Sequence, residues 1–425
     1  MKIAELYQIF LKHSEVSTDT RKINPGCLFF ALKGPNFNGN LFANEALEKG
    51  AAYAIIDETE FKVSDKCILV DNVLETLQAL ATYHRNRCSA KIISLTGSNG
   101  KTTTKELIFS VLSKKYKSIA TQGNLNNHIG VPLTLLSIKN DTEIAVVEMG
   151  ANHQKEIAFL SSIAQPDFGY ITNFGKAHLE GFGGVQGVIK GKSELYDYLI
   201  AHDKYVFMNA DDPIQLEKLG TYVKKIGYST SNPQYYSIQL KESSPFVIME
   251  VEKKRISTQL TGAYNFTNCC AAIIMGKYFN VPLDDIKSAL EGYSPENNRS
   301  QIIEKSGIKI ILDAYNANPT SMEMAIRNFA NLKTFDSYLI LGDMFELGEA
   351  STEEHQAIAD LTKTLEFTNV LLVGKHFYET RTPFLKFKTY EELESHLESH
   401  PIEKGNVLIK GSRGMALERI LDYLG

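Results

Sequence analysis

Thr96-Gly97-Ser98-Asn99-Gly100-Lys101-Thr102-Thr103 is the stretch of this chain whose residue types and spacing point most directly to chemistry. Glycines so spaced let the backbone curl until successive N–H groups face phosphate oxygens, and a helix start behind them adds partial positive charge. In such a loop Gly97, Ser98, Asn99 and Gly100 form the cradle, and Lys101 reaches the β- and γ-phosphates. The Thr102 hydroxyl is then a magnesium ligand, with Thr103 beside it. The full pattern asks for glycine at position 95, where this chain has Leu95, so the string is the shorter G-x-x-G-K-T. Alone, it is also compatible with a turn and a helix cap. An apolar strand before it and a helix pattern after it favour binding of a nucleoside triphosphate such as ATP.

A bound triphosphate needs Mg2+, usually held by a carboxylate at a strand end. Glu148 closes the apolar run Ile144-Ala145-Val146-Val147 and fits that place, although strand-end carboxylates are often simply solvated. His178 lies just past the next strand, in Thr172-Asn173-Phe174-Gly175-Lys176-Ala177-His178, and could equally be a packed or surface histidine. Parallel sheets bind ligands outside the carboxyl ends of their strands. On that rule three strands deliver Lys101 with Thr102, Glu148 and His178 to one edge.

The elements that must position these groups alternate. Cys27–Leu32 and Ala51–Ile56 read as buried strands, the turn-rich Lys33–Asn40 as a loop, and Leu74–Arg87 as a helix. Strands follow at 91–95, 144–149, 168–172 and 205–209, separated by helical stretches near 102–115, 153–163 and 185–200. After the polar segment Ser294-Pro295-Glu296-Asn297-Asn298, new strands appear at 308–312, 338–341, 370–373 and 406–409. Strand–helix alternation predicts parallel β-α-β units. Three α/β units are expected, at 1–88, 89–295 and 296–425.

Composition narrows the class of protein. The chain has 425 residues with 45 Lys+Arg against 50 Asp+Glu, a net charge of −5, which gives no general reason to expect nucleic-acid binding. Its 43% hydrophobic and 22% charged residues are ordinary for a globular protein. Five cysteines without C-x-x-C spacing argue against a disulfide framework and a structural zinc site. No apolar run is long enough to insert in a membrane, and Met1-Lys2-Ile3-Ala4-Glu5 lacks the pattern of a signal peptide. A cytosolic (cytoplasmic) monomer is the expectation.

Taken together, these strings resemble the ATP-dependent Mur ligase family over nearly the whole chain. The resemblance starts at Ser17-Thr18-Asp19-Thr20-Arg21 and Pro25–Gly34 and runs through the phosphate loop and Gly123-Asn124-Leu125-Asn126-Asn127-His128-Ile129-Gly130. It continues through Glu148-Met149-Gly150 and the His178 segment. It implies an α/β fold of three domains: an N-terminal domain for the UDP-substrate, a central parallel-sheet phosphate-loop ATPase domain, and a C-terminal doubly wound α/β domain. Asp313-Ala314-Tyr315-Asn316-Ala317-Asn318-Pro319 and Leu341–Glu349 resemble the branch that joins D-Ala-D-Ala to UDP-MurNAc-tripeptide in peptidoglycan precursor synthesis. Tripeptide-forming ligases would show a D-Y-A-H-T-P-like segment there, and folylpolyglutamate synthases D-G-A-H-N-P.

Roles follow from the resemblance. Lys192, in Gly191-Lys192-Ser193-Glu194, matches the family's carbamylated lysine, a second magnesium ligand; on its own it could be a solvated helix lysine. Asn265 and Asn268 match adenine-side asparagines, Arg299 a phosphate-contacting arginine, and Asp313 the ribose-binding aspartate. Thr18, Asp19 and Arg21 fall to the uridine substrate. Asn126, Asn127 and Asn316, with Lys410, Ser412 and Arg413 of Lys410-Gly411-Ser412-Arg413-Gly414, fall to the substrate sites. Lys101, His178, Lys192 and Arg299 are the expected catalytic set, and closure of the third domain is expected to assemble it. The chain departs from the family at Tyr264, where histidine is usual, at Asn38-Gly39-Asn40 for D-G-H, and at Gly414 for serine. Competing readings are another amide ligase of the family, a regulator that binds ATP without ligating anything, or a catalytically dead scaffold.

Overall fold

The computed structural model describes residues 1–295, 298–332, 334 and 336–425. Glu296 and Asn297, in the segment where the second boundary was expected, lie outside the described residues. Near the N-terminus a small sheet runs Val16–Ser17, Leu28–Phe30, Tyr53–Ile56, Cys67–Leu69, every neighbouring pair parallel. Its alternating residues split between two cores. Phe29, Ala54 and Ile56 pack on Ala43 and Ala46, whereas Leu28, Phe30, Ile55 and Ile68 join the main cluster. The stretch expected as a plain loop at 33–40 instead holds a short antiparallel pair, Lys33–Gly34 with Phe37–Asn38. Gly39 follows because a Cβ there would sit 2.4 Å from the Leu32 carbonyl oxygen.

The central sheet has seven parallel strands, in the order Tyr236–Ser237, Lys225–Ser229, Tyr205–Asn209, Phe168–Ile171, Lys91–Thr96, Ile144–Glu148, Ser118–Ala120. Ile92, Ile93, Leu95, Val146 and Val147 are fully buried, as strands covered on both faces require. The chain turns from one side of Lys91–Thr96 to the other, which puts the end of that strand at a topological switch point. Helices Lys101–Leu112, Glu156–Ala164 and Val185–Ala201 lie close to where periodicity puts them.

Two features were not legible. A three-stranded antiparallel sheet, Gln239–Glu242, Ile248–Val251 and Lys254–Ser257, follows the parallel one. Glu252 and Lys253, the start of the charge run Glu252–Arg255, make its second hairpin turn, both with positive φ. Helix Tyr264–Tyr278 packs beneath, burying Cys269 and Cys270; all five cysteines are free. The last sheet has six strands, Gln301–Lys305, Ile308–Asp313, Gly405–Lys410, Ser337–Gly342, Asn369–Val373 and Leu385–Phe387. It is parallel except for its first pair.

Helix Val73–Arg85 joins the first sheet to the central unit. Leu77, Leu80 and Ala81 share one core cluster with Val131, Leu135, Leu160 and Ile163. Arg85 pairs with Asp167 at 2.8 Å and donates to the Ala164 carbonyl at 3.1 Å. His84 Nε2 donates to the Ile138 carbonyl at 2.9 Å, which leaves Nδ1 to accept from the Tyr7 hydroxyl at 3.2 Å. Among the described residues no helix is long and apolar enough to cross a membrane.

Candidate active site

The strand Lys91–Thr96 runs straight into the phosphate loop, and Leu95 is a fully buried strand residue, so the glycine missing at that position costs the loop nothing. Two glycines are essential where they stand. Gly97 has φ +144° and a Cβ there would meet Thr172 Oγ1 at 2.0 Å; Gly100 has φ +77° and a Cβ would meet Asn268 Oδ1 at 2.6 Å. Gly100 caps helix Lys101–Leu112, whose first N–H groups point back at the loop. Ser98 Oγ donates to the Gly175 carbonyl at 2.7 Å, and Thr172 Oγ1 to the Asn99 carbonyl at 2.6 Å. The loop is thus held before any ligand arrives.

Lys101 folds over its own loop, donating to the carbonyls of Gly97 at 2.8 Å and Ser98 at 3.2 Å. Burial lowers its pKa, Glu148 opposes that shift, and Arg299 adds to it. Glu148 is 1% exposed, so it is no solvated carboxylate. Its Oε1 accepts from Asn126 Nδ2 at 2.8 Å and from Thr102 Oγ1 at 3.3 Å, while Oε2 is buried with no partner. A buried anionic oxygen beside a hydroxyl suits a cation. Magnesium takes few protein ligands, filling its shell with water and phosphate oxygens. Its demand therefore fits Glu148 and Thr102, although no group of three or more His, Cys, Asp or Glu is arranged for a metal among the described residues.

These groups line one cavity of about 1080 Å³, together with Ser98, Asn99, Gly100, Thr103, Asn126, Asn127 and His178. His178, with φ +52°, hydrogen-bonds through Nδ1 to Glu346 of the last unit, which leaves Nε2 free for the cavity. Asn265 and Asn268 also line it, linked in a buried chain from Thr104 Oγ1 through Asn268 to Asn265 Oδ1.

The opposite wall comes from the last unit: Arg299, Asp313, Tyr315, Asn316 and Lys410. The Arg299 guanidinium lies 3.5 Å over the Tyr315 ring. Asp313 is already partnered, by Lys410 Nζ at 2.6 Å and the Ser300 N–H at 3.1 Å. Lys410 also donates to the Asn316 carbonyl at 3.2 Å. Tyr264, which stands for the usual histidine, meets Ser300 Oγ at 2.8 Å and so ties the central helix to this wall.

Beyond the loop itself, six expected residues stand outside that lining. Lys192 is fully buried outside the cavity lining; its Nζ donates to the Ala151 carbonyl at 3.1 Å and lies 4.9 Å from the Phe182 ring centre. Burial and then the nearby Lys101 push its pKa well below the usual lysine value, so it is not a solvated helix lysine. The buried Ser412 hydroxyl accepts from the Phe345 N–H at 2.9 Å. Arg413 has its guanidinium 5.3 Å from the Tyr315 ring centre. Thr18, Asp19 and Arg21 lie on the first sheet's edge, where Asp19 caps the turn Thr20–Lys22 by accepting from the Arg21 N–H at 3.0 Å; its ion pair with the Arg21 guanidinium at 2.8 Å helps hold its carboxyl at about 2. Sequence reasoning passed over Asn318 and Glu346, both inside strings it quoted for other reasons.

The fold, the loop and the shared cavity define a phosphate-loop ATP-dependent ligase, and comparison with known proteins agrees. The "Mur ligase family, catalytic domain" matches residues 12–85, the "Mur ligase middle domain" 95–276, and the "Mur ligase, glutamate ligase domain" 298–413. The chain belongs to the Mur ligase family. It is similar to the UDP-N-acetylmuramoyl-tripeptide–D-alanyl-D-alanine ligase of Bacillus subtilis (strain 168), at 35% identity over 96% of this chain and 92% of that protein. The ligase of the same name from Escherichia coli (strain K12) is 33% identical over 96% and 93%. Among solved structures, MurF from Acinetobacter baumannii superposes with TM-score 0.85 at 29% identity, covering 100% of this chain and 98% of that one. MurF from Thermotoga maritima in complex with ADP gives 0.83 at 26% identity, with 97% of each chain covered.

Proposed function

We propose that this chain joins D-alanyl-D-alanine to UDP-N-acetylmuramoyl-tripeptide, converting ATP to ADP and phosphate, in peptidoglycan synthesis. The observation that carries the reading is the two-walled cavity. One wall holds the phosphate loop and Glu148, the other Arg299, Asp313 and Lys410, in a chain similar along more than nine-tenths of its length to the Bacillus subtilis and Escherichia coli ligases named for that reaction.

In this reading residues 1–88 hold the UDP end of the tripeptide substrate, through Thr18, Asp19 and Arg21. Residues 89–295 bind ATP, and residues 296–425 close on it and present the dipeptide through Asn316, Lys410, Ser412 and Arg413. Asn265 and Asn268 face the adenine and Asp313 the ribose, while Asn126 and Asn127 border the tripeptide. The tripeptide carboxylate attacks the γ-phosphorus, the bond to the β-phosphate oxygen breaks, and ADP leaves. The dipeptide amine then adds to the acyl phosphate carbon, loses its proton, and expels phosphate as the amide forms. The first step brings two anions together, so most of its catalysis is positioning and charge neutralisation. Lys101 and Arg299 supply fixed positive charge from opposite walls, where the low dielectric strengthens it.

Magnesium would be held by Thr102 and Glu148, and at a second position by His178 and a carbamylated Lys192; it supplies Lewis-acid charge neutralisation. The lowered pKa of Lys192 favours the neutral amine that a carbamate requires. The enzyme would work as a cytosolic monomer, which light scattering checks.

The test is phosphate release from ATP with the tripeptide nucleotide and D-Ala-D-Ala, together and singly, with mass spectrometry of the product. Release that needs both, with the pentapeptide mass, is expected. Release with ATP alone would sink the substrate assignment. Diaminopimelate and lysine tripeptides run side by side identify the acceptor.

A further inference from the structure

Asn99 stands just before Gly100 and Lys101, and its side chain is where the last unit touches the phosphate loop. Asn318 Nδ2 donates to Asn99 Oδ1 at 2.7 Å, across 219 residues of sequence. The Asn99 backbone is pinned separately: its N–H donates to Asn173 Oδ1 at 3.2 Å, and its carbonyl accepts from Thr172 Oγ1 and from Asn173 Nδ2 at 3.0 Å. Only its amide group is left to respond to the other unit.

The helix that follows Asn318 fixes how both amides face. Asn318 caps Pro319–Ala330, its Oδ1 accepting from the Ser321 N–H at 2.9 Å while Ser321 Oγ accepts from the Asn318 N–H at 3.1 Å. With that oxygen committed to the cap, Asn318 can offer Asn99 only its NH2 group. Asn99 must then present oxygen on that side and nitrogen on the other. That nitrogen is buried and has no partner. It lies beside Gly175, where a Cβ would approach within 2.9 Å of it, so glycine there keeps its space open. A buried donor without an acceptor, on a residue that lines the phosphate cavity, is a group that a ligand oxygen can satisfy once the loop shifts to uncover it.

We propose that Asn318 is a positioning residue for phosphoryl transfer: docking of the last unit turns Asn99 Nδ2 toward an oxygen of the γ-phosphoryl group. The inference rests on the ATP-dependent ligase reading above and names the contact by which closure reaches the phosphates. When the two units part, Asn318 withdraws and the Asn99 amide is free to rotate. ADP, which lacks that phosphoryl group, does not use the contact.

The experiment uses the full chain. Asn318→Asp keeps the cap oxygen but puts an acceptor against Asn99, which turns the Asn99 NH2 outward and its oxygen toward the phosphate. Asn318→Ser keeps a cap without a donor long enough to reach. Calorimetric titration with ADP and with the imido analogue of ATP is read beside kcat, KM and Tm. Expected for Asn318→Asp are ADP affinity within about twofold of the parent, analogue affinity down about 10-fold and kcat down about 10- to 100-fold. Asn318→Ser falls between, with Tm little changed in both. In an Asn99→Ala background, Asn318→Asp should cost less than about twofold more. Equal losses for ADP and analogue, an unchanged kcat, or losses that multiply in the double variant would overturn the proposal. If the parent ligates nothing with the substrates above, the ligase reading fails, while the nucleotide comparison still decides this one.

Discussion

Two junctions connect the units of this chain, and they are made of different materials. At the first, Leu77, Leu80 and Ala81 of helix Val73–Arg85 are fully buried in a core shared with the central unit. The polar groups there, His84 and Arg85, have their partners inside it. At the second, the same core cluster continues into Met322 and Leu347 of the last unit, and polar side chains also reach across: Asn318 to Asn99, Glu346 to His178, Glu354 to Lys176, and Thr320 Oγ1 to the Lys176 N–H at 2.9 Å. Opening the first would return its apolar area to water at full cost. Opening the second exchanges its polar bonds for bonds to water at little net cost and exposes what apolar contact Met322 and Leu347 make across it. On that difference the first unit is the more firmly held to the central one, and the closure proposed for the last unit has the softer junction to work on. That unit carries Arg299, Asp313 and Lys410.

The comparison can be broken in three places. Leu80→Ala should give the largest effect, about 2–5 kcal/mol of global stability by urea denaturation, with ADP affinity unchanged. A smaller effect comes from acid. Burial holds the His84 pKa below its usual value, only partly offset by its bond to the Ile138 carbonyl. Below pH 6.5 the unfolded chain binds a proton there that the folded chain refuses, so stability present above that pH is lost as pH falls toward the folded value. Tm measured from pH 7.5 to 5 should fall, and the slope should flatten in His84→Gln.

The smallest effect is expected at the second junction. Lys176 is 48% exposed, and Lys176→Met should change stability by less than about 1 kcal/mol. Its KM for ATP should rise about 2- to 5-fold as closure weakens. A Tm loss as large as that of Leu80→Ala would mean that the second junction is also a fixed one.

Much of the central unit was readable because its information is contiguous. The phosphate loop, the strand leading into it and the helix behind it lie within 91–112, and Glu148 and His178 follow from strand ends on the same edge. What could not be read was pairing. Nothing local to Asn318 announces Asn99, and nothing in Leu341–Glu349 announces that Glu346 faces His178. The antiparallel sheet at 239–257 escaped because its outer strands are polar, Gln239–Glu242 and Lys254–Ser257, and give no apolar run. The loop at 33–40 hid a hairpin because turn formers signal a reversal without saying whether its arms pair. Ser412 shows the same limit: nothing in its string announces that its hydroxyl accepts from the Phe345 N–H.

Lys192 adds the dimension of time. Its amine is fully buried between the Ala151 carbonyl and the Phe182 ring, one layer behind the cavity wall that Ala151 forms. Carbon dioxide reaching that nitrogen must wait for the packing to breathe, and a carbamate once formed must wait again to leave. The modification would then be slower than turnover, and the enzyme would carry a memory of the bicarbonate it last met. Enzyme diluted into carbonate-free buffer should lose activity over many turnovers instead of at once, and regain it with a lag when bicarbonate is restored.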